Sequence, residues 1–226
     1  MFVHFLAQAA SPVPSAILDR LRTWVIEGGT FLWLILLCGG VSIFVILLRA
    51  LWMRRSQMFP APLVRELERL ENDPSAIERV RVLLRGPAEK SPLGKVTRVA
   101  LNGASGNLPD LEGAVEARAR REVTNMQWGL SVLDVVITIA PLLGLLGTAA
   151  GLVDVFGGIG GAERDMKVIA LGVGKALSTT IAGLAVAVPS VIAHSVFNSS
   201  IERGAVEMEV LMHRLVGRLV QAARGY

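Results

Sequence analysis

Cysteine occurs once in the 226 residues, as Cys38. An intrachain disulfide framework and a cysteine-rich metal site are thereby excluded. Tyrosine is present once and histidine three times. His4, His194 and His213 are too scattered to suggest a metal site. No HExxH, P-loop, CxxC or GxSxG pattern occurs either. Neither a metal, a cofactor nor a set of catalytic residues is therefore expected, and the chain does not read as an enzyme. Charge is also scarce. Charged residues make up 19% of the chain and hydrophobic ones 52%, with a mean hydropathy of +0.53. An average soluble domain is about a quarter charged. Disorder and a collagen-like chain are excluded. The net charge of +4 and pI near 9.8 would suggest nucleic acid on a soluble protein. Here the basic residues flank apolar runs, which points to membrane topology instead.

What is present is three long uncharged runs. Between Glu27 and Arg49 lie 21 residues, between Asp134 and Asp154 lie 19, and between Lys175 and Glu202 lie 26. An α-helix rises ~1.5 Å per residue, so each run can cross a ~30 Å hydrocarbon core. The expected fold is an all-α integral membrane protein with three transmembrane helices. Helices 2 and 3 are expected to extend into a cytoplasmic helical domain. The expected boundaries are 30–48, 134–155 and 175–201 for the spans. Around them lie an outer N-terminal segment (1–29), a cytoplasmic helical region (49–133), a short outer loop (156–174) and a cytoplasmic C-terminal helix (202–226).

Orientation follows from the basic residues near the span ends. Arg49, Arg54 and Arg55 follow span one, Arg118, Arg120 and Arg121 precede span two, and Arg203 and Arg214 follow span three. Arg20, Arg22, Arg164, Lys167 and Lys175 lie on the other side. The excess places residues 49–133 and the tail inside, with the N-terminus outside. The first ten residues are apolar, and AQA resembles a cleavage site, but a basic n-region is missing. Residues Pro14–Ile26 read as an amphipathic helix lying in the outer interface, with Ile17, Leu21, Trp24 and Val25 on one face.

Two short amphipathic helices are expected at Pro62–Leu70 and Ala76–Leu84, punctuated by Pro74, Pro87, Pro92 and Pro109. From Asp110 onward an N-cap candidate and an acidic first turn open a helical pattern. The expectation is one uninterrupted helix from about 110 to 156. The span-three helix is expected to continue to about Ala222.

Within span two, Gly144, Gly147 and Gly151 form a small-residue face that admits a neighbouring helix. Pro141 is a kink candidate, and Thr138 can help satisfy the freed backbone. Thr148 either bonds back to its own helix or faces a polar seam. In span three Ala176, Thr180, Gly183, Ala187, Ser190 and His194 recur every three or four residues. That face must meet protein or water. A packing seam among identical subunits and a narrow polar seam shared with Thr148 both remain open. Lys175 lies near the outer end and can snorkel. Asp134 marks the inner boundary of span two, and His194 is a packing or hydrogen-bonding candidate that can titrate. No carboxylate lies inside any of the three runs. A proton carrier normally needs an intramembrane acid, so a proton-conducting role would require one from a partner subunit.

The segments APLLGLLGTAAGL (Ala140–Leu152) and KALSTTIAGLAVAVPSVIAH (Lys175–His194) resemble the MotA/TolQ/ExbB proton channel family. The EGG at Glu27–Gly29, the long cytoplasmic insertion and the three-span order look most like ExbB. The resemblance implies a homo-oligomeric ring, typically a pentamer, around the spans of two ExbD- or TolR-like subunits. Such a partner is a single-span chain that supplies a pore aspartate. Proton passage past that aspartate would drive motion delivered to TonB for outer-membrane uptake, or to the TolA system in a TolQ-like protein. The implied location is the bacterial inner membrane. The family's pore-facing threonines match Thr148 and Thr180, with Thr179 beside the latter. Many relatives carry glutamate where this chain has Lys175 at the pore mouth. That departure leaves the partner aspartate as the only obvious carrier, while the lysine can pair with an acidic group outside. A non-conducting oligomeric scaffold is the reading from a different class.

Overall fold

A computed structural model of the chain describes residues 29–52, 58–70, 73, 75–103, 108–157 and 166–224. The expected amphipathic segment at Pro14–Ile26 and the cleavage-site candidate lie outside them. Among the described residues every regular element is helical. Helix α1 is Gly29–Trp52, α2 Ala61–Arg69 and α3 Ala76–Leu83. A 3₁₀ turn at Pro87–Lys90 leads to α4 (Pro92–Gly103) and α5 (Leu108–Gln127). Helix α6 is Leu130–Gly157, and α7 is Met166–Arg224.

Three of these helices are long and apolar enough to cross a membrane: Gly29–Leu51, Leu130–Gly157 and Ile169–Ala222. The protein is thus a multi-pass membrane protein with three spans. At ~1.5 Å per residue, the 59 residues of α7 run to about 90 Å, roughly three times the hydrocarbon thickness. Pro141 and Pro189 both lie inside continuous helix. Each removes one backbone donor without ending its helix.

Two expectations need correction. The single helix expected from about 110 to 156 is two helices, α5 and α6. Gly129 between them has φ +86°, a left-handed conformation that glycine alone adopts without a steric penalty. Residues 166–174, expected in the outer loop, are the first turns of α7. Their sequence, MKVIALGVG, contains no proline and is helix-compatible.

The chain divides into two compact units. Of the described residues, the first holds those within 29–42 and 135–190, the second those within 43–134 and 191–224. In the first, Leu32, Ile35 and Ala182 are buried, with Leu143 and Val186 packed against them. Trp33, Leu37, Leu145 and Ile181 remain exposed, a surface suited to lipid or to other protein chains. In the second unit, Leu63 and Leu67 of α2, Val80 of α3, and Leu93, Val96 and Ala100 of α4 are buried. Arg79 ties α3 to α2 and to the connection between them, bonding Glu66 at 2.6 Å and Asp73 at 2.7 Å. Asp73 also accepts the Ser75 hydroxyl at 2.7 Å and the Ser75 amide at 2.9 Å. These bonds, the Ser75 hydroxyl foremost and then the Arg79 guanidinium, pull the Asp73 carboxyl down to about 2. Glu122 of α5 is almost fully buried, with Arg118 at 2.7 Å and Lys95 at 3.3 Å.

Candidate functional site: a hydroxyl cluster between two spanning helices

Close approach of α6 and α7 in the first unit builds the site. A methyl group placed on Gly144 would meet the Thr179 carbonyl oxygen and the Thr180 Cα, both at 2.9 Å. One on Gly147 would meet Thr179 Oγ1 at 2.7 Å, and one on Gly151 the Ala176 Cβ at 2.9 Å. From α7, a methyl on Gly183 would collide with the Ala140 carbonyl. Ala176 and Ala187 are buried. Small residues on both helices thus bring the backbones together, as close packing in lipid requires.

That approach gathers three threonines around one carbonyl. Thr148, Thr179 and Thr180 place their hydroxyl oxygens 3.2, 3.1 and 3.1 Å from Gly144 O. A carbonyl oxygen has two lone pairs, so it cannot serve all three donors fully at once. Nearer acceptors relieve the competition. Thr148 Oγ1 lies 2.7 Å from Leu145 O, and Thr179 Oγ1 lies 2.7 Å from Ala176 O. Thr180 is left with Gly144 O or with Thr148 Oγ1, which is 3.2 Å away.

Each hydroxyl carries one proton and two acceptor lone pairs. The Thr148–Thr180 pair therefore keeps accepting capacity, and its protons can rotate between acceptors. Such a pair can solvate a carboxylate or accept from a carboxylic acid. It does not itself carry charge at neutral pH. Thr180 is partly exposed, Thr148 is 9% exposed and Thr179 is 3% exposed. Thr179 lies wedged against Gly147 with its proton committed to backbone, so its hydroxyl faces the helix junction. Lys175 is exposed and forms no ion pair with a described residue.

Two polar pairs were not legible in the sequence. Ser42 of α1 meets Ser190 of α7 at 2.6 Å. The Ser190 hydroxyl donates to Val186 O at 2.8 Å, so the Ser42 hydroxyl supplies the proton of the pair. In the second unit, His194 Nε2 lies 3.0 Å from Asp134 Oδ1. In the sequence Asp134 stood as a boundary residue of span two and His194 as a packing or hydrogen-bonding candidate within span three. They are 60 residues apart, and no periodic signal links positions so distant. Among the described residues no group of His, Cys, Asp and Glu could hold a metal ion.

Residues 88–210 match the sequence signature of the MotA/TolQ/ExbB proton channel family. An ExbB-like biopolymer transport protein of Synechocystis is 29% identical over 191 residues, covering 83% of this chain and 74% of the relative. The biopolymer transport protein ExbB of Neisseria gonorrhoeae is 26% identical over 202 residues, with coverage of 83% and 89%. That of Pseudomonas putida is 38% identical over 92 residues, covering 40% of this chain and 27% of the relative.

Proposed function

Since the chain belongs to the MotA/TolQ/ExbB proton channel family, we propose that it is the ExbB-like subunit of a proton-motive-force-driven motor. In this reading it sits in the bacterial inner membrane, with its N-terminus periplasmic and its C-terminus cytoplasmic. Several copies, in the resembled family typically five, surround an ExbD-like single-span partner. The complex energises TonB-dependent transport across the outer membrane.

The observation that carries this reading is the Thr148–Thr180 hydroxyl pair, 3.2 Å apart on two helices held together by glycine. In a ring, the partly exposed Thr180 and the adjoining Thr148 would face the partner's carboxyl group. As carboxylate, that group accepts hydrogen bonds from the hydroxyls. Once protonated, it is neutral and can leave the polar contact for an apolar one. The spans of this chain carry no acid of their own between the boundary residues, so the titrating group belongs to the partner. A proton crossing ~100 mV supplies ~2.3 kcal/mol, enough to bias which contacts are made. A two-fold partner inside a five-fold ring cannot satisfy every contact at once, so each protonation favours a new arrangement. Thr179 serves the helix junction instead of the pore. Lys175, at the outer end of the span, would pair with an acidic group at the mouth.

Native mass spectrometry of the complex, extracted mildly from its own membranes, tests the proposal. Five copies with a small single-span partner are expected. A homo-oligomer that never retains such a partner would lack a proton carrier and favour the scaffold. Retention of a TolR-like chain with TolA would favour the TolQ-like reading.

A further inference from the structure

We propose that a cavity in the second unit binds the headgroup of an anionic phospholipid. The cavity, of about 800 Å³, opens among the end of α1, the segment leading into α2, the α3–α4 connection and α5. Its volume falls within the range of roughly 300–1,000 Å³ typical of ligand pockets. Among the described residues, Arg49, Lys90 and Lys95 stand on its wall against one carboxylate, Glu122.

That carboxylate is already over-neutralised. Its Oε2 takes Lys95 at 3.3 Å and its Oε1 takes Arg118 at 2.7 Å. Arg49 donates Nη2 to the Met126 carbonyl, which fixes the guanidinium without cancelling its charge. Neither Arg49 nor Lys90 forms an ion pair with a described residue. The wall therefore holds positive charge in excess, and at the half-buried Arg49 an anion is attracted more strongly than at an open surface.

The position selects a lipid over a free anion. Arg49 is the first charge after 21 uncharged residues and lies near the end of the span Gly29–Leu51. A residue so placed stands at headgroup depth. Val82 lines the cavity as an exposed apolar residue and offers an acyl chain an apolar surface. A free phosphate would not use that surface. This inference does not depend on the proton-motor reading.

The test reconstitutes the full-length complex into vesicles of equal parts phosphatidylglycerol and phosphatidylcholine. Mild extraction and native mass spectrometry then count the retained lipids. About one phosphatidylglycerol per chain is expected, retained at least tenfold over phosphatidylcholine. Lys90→Gln, at an exposed position, is expected to lower that retention at least threefold. Arg81→Gln, which removes an exposed cation outside the cavity, is expected to leave it unchanged. Three results would each overturn the proposal: no preference between the lipids, no loss in Lys90→Gln, or an equal loss in Arg81→Gln. Displacement of the lipid by equimolar inorganic phosphate would also overturn it, by assigning the cavity to a free anion.

Discussion

Gly144→Ala is the substitution that most directly probes the helix junction. The added methyl would sit 2.9 Å from the Thr179 carbonyl oxygen and the Thr180 Cα, whereas ordinary contact begins near 3.4 Å. Both obstacles are backbone, so no side chain can rotate away. Helices α6 and α7 must part by about 0.5 Å, at a cost of roughly 1–3 kcal/mol for overpacking. The same shift takes the Thr148–Thr180 pair from 3.2 Å to about 3.7 Å, beyond hydrogen-bonding distance. Gly174→Ala is the control, because a methyl there meets nothing within 4 Å. Replacing a mid-helix glycine by alanine at an open position stabilises by roughly 0.5–1 kcal/mol. The two variants should therefore move in opposite directions. Reversible unfolding of the purified complex in mixed mild-detergent and dodecyl sulfate micelles, followed by far-UV circular dichroism, reads the difference. A Gly144→Ala protein that unfolds at the wild-type detergent fraction, or above it, would refute the packing argument.

Other perturbations follow from individual contacts. The Asp73 carboxyl is held at about 2 against an ordinary 3.8. A depressed value stabilises the fold above the unfolded value and loses that contribution as pH falls through the folded one. Amide exchange in α2 and α3, corrected for its intrinsic pH dependence, should rise between about pH 4 and pH 2, and Asp73→Asn should shrink the step, leaving the part that Glu66, also held down by Arg79, contributes. Glu122→Ala leaves Lys95 and Arg118 without their carboxylate. A loss of about 1–3 kcal/mol is expected in chemical denaturation, with a smaller loss for Glu122→Gln; equal stability of Glu122→Ala and wild type would refute the bridging role. Ser42→Ala removes one interhelical hydroxyl while Ser190 keeps its bond to Val186. The expected cost is about 0.6 kcal/mol in the same micelle titration.

Legibility from sequence followed the range of the interactions. The three spans were readable because a missing charge over some 20 residues is a local, additive signal. The small-residue faces were readable for the same reason. Gly144, Gly147 and Gly151 repeat at helical spacing, as do Ala176, Thr180 and Gly183, and the structure sets the two rows against each other. The break at Gly129 was not readable. A lone glycine in a helical pattern costs only about 1 kcal/mol, so its left-handed φ is visible only in the backbone. Ser42–Ser190 and Asp134–His194 escaped because each joins distant positions on different helices. The threonines stood out through the family resemblance. Composition alone left Thr148 undecided between a bond to its own helix and a seam. In the structure its hydroxyl lies within hydrogen-bonding distance of both Leu145 O and Thr180 Oγ1.

Proton flux tests the central claim most directly. The complex, purified with the proposed single-span partner, is sealed into liposomes with a pH-sensitive dye, and a potassium diffusion potential drives protons inward. The account predicts that Thr148→Val and Thr180→Val assemble normally, as judged by copy number and partner retention, yet lose most of the voltage-driven flux. Wild-type flux in both variants would contradict it.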